Sequence, residues 1–260
     1  MTTESLIKST SDLEKYFNNN SKRLIHKWKH YFDIYDRHFN KYRDKELVIL
    51  EIGVFHGGSL QMWKDYFGDK VKIYGIDINP RCKSLEEDGI EILIGSQSDR
   101  DFLRSIKKSV PRPDILIDDG GHTMKQQITT YEELFDFVKD DGVYLCEDVH
   151  TSYQVALGGG FKRKGTFVEY SKNFIDWLNA YHSEQRGLKV SSFTKSVNSI
   201  HYYDSIVIVE KAVRQKPIDL KSGEASFDND GFDENTYQVF KRKVRTIINL
   251  VLRFFRLPSF

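Results

Sequence analysis

Five short runs rich in β-branched and aliphatic residues most constrain this chain: LVILEI (47–52), VKIYGID (71–77), IEILIG (90–95), DILIDD (114–119) and VYLCED (143–148). A strand with one solvated face alternates strictly. Near-continuous apolar runs instead mean strands buried on both faces, as in a parallel sheet covered by helices. Helical patterns fill the gaps near 59–67, 80–87, 99–108 and 122–138. Strand–helix alternation with right-handed crossovers predicts a doubly wound, mostly parallel α/β sheet. After GGGFKRKG (158–165), a helix near 171–183 and strands near 188–194 and 201–210 bring the sheet to seven. The segment HYYDSIVIVEK alternates, as an antiparallel edge hairpin does.

Outside the strands the chain changes character. Residues 1–20 are polar and read as a flexible N-terminus. The domain proper is expected over 21–211. It opens with a helical cover in which Trp28, Tyr31, Phe32, Tyr35, Phe39 and Tyr42 recur at three- and four-residue spacing. That period fits one or two amphipathic helices, serving as packing or as a lid over a ligand. A polar, acidic linker follows at 212–234. The stretch 235–260 reads as a basic amphipathic helix whose apolar stripe runs through Val239, Phe240, Val244, Ile247, Ile248, Val251, Leu252 and Phe255. It can pack on its own domain or a sister subunit in a homo-oligomer, rest peripherally on an anionic membrane, or bind another protein.

Charge and length exclude several classes. A formal net charge of +1 over 260 residues argues against a nucleic-acid binder. No run approaches the roughly 20 apolar residues of a membrane span. The start lacks a secretory pattern, so a cytoplasmic address is expected. Cys82 follows the second strand and Cys146 lies within the fifth, strands expected about three spacings, roughly 14 Å, apart, beyond disulfide reach.

The chemistry-bearing residues gather at strand ends. LEIGVFHGGS (50–59) is a strand, a glycine-rich turn and a helix start. Phe55 stands where a dinucleotide fingerprint needs its second glycine, which disfavours an NAD-linked oxidoreductase. The pattern suits a smaller charged ligand, with Gly53 and Gly57 turning the chain and Ser59 near the helix N-terminus. Asp77 ends the second strand, where a carboxylate can accept both hydroxyls of a ribose. Gln97, in GSQSD, is placed to bond an adenine edge. Then come IDDGGH (117–122) and CED (146–148). Asp119, Glu147 and Asp148 offer hard oxygen donors for octahedral Mg²⁺ or Mn²⁺, with Asp118 competing with Asp119 for that place. His122, three residues beyond Asp119, is a candidate base.

These motifs, EIGVFHGGS, GIDIN, GSQSD, IDDGGH, CEDVHTSY and the closing IHYYDS, resemble those of class I S-adenosylmethionine-dependent methyltransferases. More narrowly, they are similar to the metal-dependent O-methyltransferases of macrolide sugars. The resemblance runs from about residue 26 to residue 211. It implies that Gly53, Val54, His56, Ser59, Asp77, Ser96, Gln97 and Asp118 surround S-adenosylmethionine. It also implies Asp119, Glu147 and Asp148 as metal ligands and His122 as base. The family usually has serine where this chain has Gly121.

The expected function is therefore Mg-assisted O-methylation of a sugar hydroxyl in a polysaccharide, glycolipid or nucleotide-sugar precursor or an antibiotic deoxysugar. The rivals are a metal-dependent methyltransferase for a non-sugar hydroxyl such as a catechol, and a non-catalytic sugar- or nucleotide-binding subunit of a membrane-associated assembly. The rim of the acceptor site is expected in Val149–Gly165. There Tyr153 can stack on a pyranose, and Lys162, Arg163 and Lys164 either meet a phosphate or form a solvated basic loop.

Overall fold

The strand runs assemble as their burial pattern demands. In the computed structural model, which describes residues 10–226 and 236–259, five strands lie parallel. They are β1 (Leu47–Ile52), β2 (Val71–Asp77), β3 (Ile90–Ile94), β4 (Ile115–Asp118) and β5 (Val143–Cys146). The hairpin β6 (Val197–Tyr203) and β7 (Ile206–Lys211) joins one edge, with β7 antiparallel to β5. The seven-stranded order is β3-β2-β1-β4-β5-β7-β6.

Neighbouring residues of one strand face opposite layers. Ile49, Ile73 and Ile117 join a core with helices α1 (Asp12–Asn18), α2 (Tyr31–Phe39) and α3 (Gly58–Phe67). Leu50, Ile76 and Leu116 join a second core with α4 (Arg100–Ser109) and α5 (Met124–Leu134). The same core takes in α7 (Asn173–Leu178), which follows the short α6 (Phe167–Ser171), and α8 (Ser192–Ser196). Cys82 and Cys146 are buried free thiols.

Three expectations change. Residues 12–18, expected to be loose, form α1, because the Ser11 hydroxyl accepts from the Glu14 amide and Leu13 is fully buried. Residues 21–28 of the expected helical cover are irregular, and helix begins only at Tyr31. The expected strand at 188–194 is absent. Ser191 and Thr194 instead form a capping box that starts α8, and the strand runs from Val197.

The chain divides into two units, Met1–Pro217 and Ile218–Phe260. In the second, the regular element is α9 (Thr236–Phe254). Residues 1–9 of the expected N-terminal segment, 227–234 of the expected linker, and 235 and 260 of the expected tail lie outside the described residues.

Candidate active site

The carboxyl ends of β1, β2 and β4 open onto a cavity of about 710 Å³. It lies at the point where strand order reverses between β1 and β4, the place open α/β sheets bind ligands. Its first wall is the turn after β1. Gly53 has φ +98°, and a Cβ there would lie 1.9 Å from the Asp119 carbonyl oxygen. Only glycine lets the β1 turn and the β4 loop close on each other. The amides of Val54 and Phe55 donate to Asp77 Oδ2 at 2.9 and 3.0 Å, and the Asn79 amide donates to Oδ1 at 2.8 Å. Asp77 therefore clamps the turn while lining the cavity.

The irregular segment before α2 lies against this wall. A Cβ on Gly58 would meet the Leu24 carbonyl oxygen at 2.3 Å. Arg23 fixes the segment by donating to the Leu85 carbonyl at 2.9 Å and pairing with Glu87 at 3.2 Å. Leu24 to Lys27 line the same cavity.

Of the residues expected around the cofactor, Gly53, Val54, His56 and Ser59 line the cavity, as do Asp77, Ser96 and Gln97. Asp118 does not. It is the last residue of β4, turned into the protein and 1% exposed, where it accepts from Gln97 Nε2. Burial foremost pushes its carboxyl up to about 8. Gln97, while lining the cavity, has a second role. Its amide donates to Thr130 Oγ1 at 2.9 Å and accepts from the Gly121 amide at 3.0 Å, so it holds the IDDGGH loop.

The geometry separates the two aspartates that the sequence left open. Ligand atoms of Asp119, His122 and Asp148 all lie within 4.8 Å of one another. His122 Nε2 is 3.5 Å from Asp148 Oδ2 and 3.8 Å from Asp119 Oδ1. His122 and Asp148 both sit in the left-handed region, at φ +55° and +52°. Such backbone costs energy and clusters at functional sites. Thr151 Oγ1 ties the two loops, its one proton shared between the carbonyls of His122 and Asp148, each at 2.8 Å. His122 Nδ1 is buried without a hydrogen-bond partner among the described residues.

Glu147 stands apart from that set. Its carboxylate takes Lys27 Nζ at 2.9 Å on both oxygens and the Tyr35 hydroxyl at 2.7 Å. Lys27 also donates to Asp119 Oδ2 at 2.5 Å, and the Tyr31 hydroxyl donates to Asp148 Oδ1 at 2.7 Å. Burial raises the Glu147 carboxyl and Asp119 adds to this, while Lys27 and Tyr35 oppose it. For Lys27, burial works against the charge, but Asp119, Glu147 and Glu51 outweigh it and hold the ammonium. Behind them Glu51 is fully buried, accepts from Trp63 Nε1 at 2.8 Å, and is pushed up to about 7, chiefly by burial.

Lys27, Tyr31 and Tyr35 are the residues that sequence reading missed. The two tyrosines fall in the aromatic period and read as packing. The signal for Lys27 is indirect: five acids (Glu51, Asp118, Asp119, Glu147 and Asp148) at one sheet edge call for a buried counter-cation. A second cluster, His38, His201 and Glu210, ties α2 to the edge hairpin through hydrogen bonds such as His38 Nδ1 to Glu210 at 3.1 Å.

No protein-family model matches the chain. It is 32% identical over 190 residues to an 8-demethyl-8-alpha-L-rhamnosyl tetracenomycin-C 2'-O-methyltransferase of Streptomyces olivaceus, covering 70% of this chain and 50% of that one. It is 33% identical over 210 residues to the demethylmacrocin O-methyltransferase of Streptomyces fradiae, covering 75% and 53%. The chain spans about half the length of the curated relatives it matches. Among solved structures it resembles the MycE methyltransferase from the mycinamycin biosynthetic pathway in complex with Mg, SAH and mycinamycin VI. That match has a TM-score of 0.70 and 27% identity over 90% of this chain and 58% of that one. Another MycE crystal form, with Mg and SAH, gives 0.69 at 30% identity, covering 78% and 54%. Fold, cavity and relatives together make this chain a class I S-adenosylmethionine-dependent methyltransferase, similar to the O-methyltransferases of macrolide sugars.

Proposed function

We propose that the chain transfers a methyl group from S-adenosylmethionine to a sugar hydroxyl with the help of Mg²⁺ or Mn²⁺. The observation that carries this reading is the meeting of Asp119, His122 and Asp148 in the wall of the cavity that also holds the glycine turn and Asp77. The relatives' names support it: they act at the 2'-oxygen of a rhamnosyl tetracenomycin and on demethylmacrocin, and MycE is seen with Mg, SAH and mycinamycin VI.

The donor set fits a hard divalent ion. The carboxylates of Asp119 and Asp148 converge from separate loops beside the His122 imidazole. Asp119 and Asp148 would hold the ion, and Glu147 would share it through the carboxylate that Lys27 now bonds. When bound, the cofactor supplies an electrophilic methyl and the ion acidifies the acceptor hydroxyl. The chain's own work is positional. Gly53 and the Asp77 clamp shape the cofactor wall, and Asp77 retains lone pairs for a ribose. His122 Nε2, at the cavity surface, takes the hydroxyl proton as the nucleophile attacks. Tyr31 keeps the Asp148 carboxylate in place.

For the acceptor, Trp28 is half exposed and stands edge-on to the His150 ring at 5.8 Å. It and the exposed Tyr153 offer faces on which a pyranose stacks. A bacterial surface-glycan, glycolipid or nucleotide-linked sugar serves this geometry as well as an antibiotic deoxysugar. The reading requires neither a membrane contact nor a second subunit.

The test is methyl transfer from labelled S-adenosylmethionine to a panel of nucleotide sugars, glycosides and catechols. Transfer to a glycosyl hydroxyl, abolished by EDTA and restored by Mg²⁺, is expected. Transfer to catechols alone, or SAH binding with no transfer to any sugar, overturns the reading.

A further inference from the structure

Helix α9 runs over Thr236–Phe254, 19 residues and about 28 Å long. Nothing in the methyl-transfer reading uses it. At about 100° per residue, Phe240, Val244, Ile247, Val251 and Phe254 fall within an arc of roughly 80°, with Phe255 just beyond. All six are exposed, Phe254 by 82%. Arg242, Arg245 and Arg253 fall on the opposite side. Lys241 and Lys243 flank the apolar arc, one at each border, where a long side chain lays its stem on hydrocarbon and lifts its charge to water. Between Thr236 and Ser259 there are six lysines and arginines and no aspartate or glutamate.

That single sign decides the partner. The longer helices packed in this domain, α2 to α5, each carry both signs. In α4, for example, Arg104 pairs with Asp101 and with Glu133 of α5. Two copies of α9 joined through their apolar arcs would gather ten cations, five from each helix, with no acid to offset them. An anionic lipid surface instead accepts the aromatic arc and neutralises the borders together. Among the described residues no helix is long and apolar enough to cross a membrane. We infer that α9 lies in the plane of an anionic bilayer surface, its Phe240–Phe254 face in the acyl boundary, and anchors the chain peripherally.

The test is co-sedimentation of the full chain with vesicles of phosphatidylcholine, alone or with about one third phosphatidylglycerol. Binding tighter by about tenfold or more on the anionic vesicles is expected, weakening as salt rises. Ile247→Asp with Val251→Asp should abolish it while the main thermal transition stays at the wild-type temperature. Lys241→Ser with Lys243→Ser should weaken it by about thirtyfold. Equal pelleting on both vesicle types, pelleting of the double aspartate variant, or binding only to an acidic protein or to itself overturns the inference. The methyl-transfer assay on soluble acceptors reads out separately, so either proposal can fail alone.

Discussion

Lys27 and Glu147, 120 residues apart, are joined by an ammonium that reaches both carboxylate oxygens at 2.9 Å. The side chain of Lys27 is 2% exposed and that of Glu147 is 1% exposed. The pair connects the segment along the cofactor wall to the acids at the end of β5. Removing one partner of a buried pair strands the other charge. Lys27→Met is therefore expected to lower stability by about 3 kcal/mol, read as a fall in melting temperature. The ammonium also competes for the carboxylates that would hold a divalent ion. The same variant should bind Mn²⁺ about tenfold tighter or more, measured by the free-ion electron paramagnetic resonance signal. Unaltered Mn²⁺ binding would show that Lys27 and the ion do not share Asp119 and Glu147.

Glu51 gives a pH signature of its own. Its carboxyl is pushed up to about 7 from an ordinary 4.5, so between those values the folded chain holds a proton that the unfolded chain has released. The sign follows: this group makes stability fall as pH rises from about 4.5 through about 7. Glu51→Gln keeps an acceptor for Trp63 Nε1 and removes the titration. Relative to the wild type it should gain about 2–3 kcal/mol between pH 4.5 and pH 8.5, by denaturant melts at both. A difference that does not change with pH would mean the carboxyl titrates normally.

The parallel strands were legible because burial on both faces leaves an unmistakable apolar run, and β1 and β2 match their predicted limits. The stretch 188–194 misled because Val190 and Phe193 flank a serine pair that reads as strand but caps a helix. Asp119, His122 and Asp148 were legible because each stands just past the end of a strand. Lys27 was not: it lies in SKRLIHKWKH, a basic stretch with no period, and its partners are 92 and 120 residues away. The bonds by which Gln97 holds the IDDGGH loop are not legible either, because sequence shows that a residue follows a strand, not which neighbour its amide meets.

The Gly53 contact makes a sharp demand. A methyl group there meets the Asp119 carbonyl oxygen at 1.9 Å and also forces a side chain into φ +98°. Neither a rotamer change nor a small shift relieves a clash with backbone. Gly53→Ala should cost about 2–3 kcal/mol of stability and push apart the glycine turn and the β4 loop. Calorimetric SAH binding should fall by more than the loss of folded protein explains. Near-native SAH affinity would show that the turn and the loop need not touch.

His122 separates binding from chemistry. Its Nε2 lies within 3.8 Å of both Asp119 and Asp148, its backbone is fixed by Thr151, and it is distinct from the turn that shapes the cofactor wall. If it takes the acceptor proton, His122→Ala should lower methyl transfer by about 10²–10⁴-fold while SAH affinity stays within a few-fold. Because the imidazole also stands among the ion's candidate ligands, Mn²⁺ affinity must be measured on the same variant. A loss of turnover with Mn²⁺ and SAH bound as in the wild type assigns the base. A parallel loss of Mn²⁺ binding assigns His122 to the ion instead, and the proton then has to leave through Asp119 or Asp148.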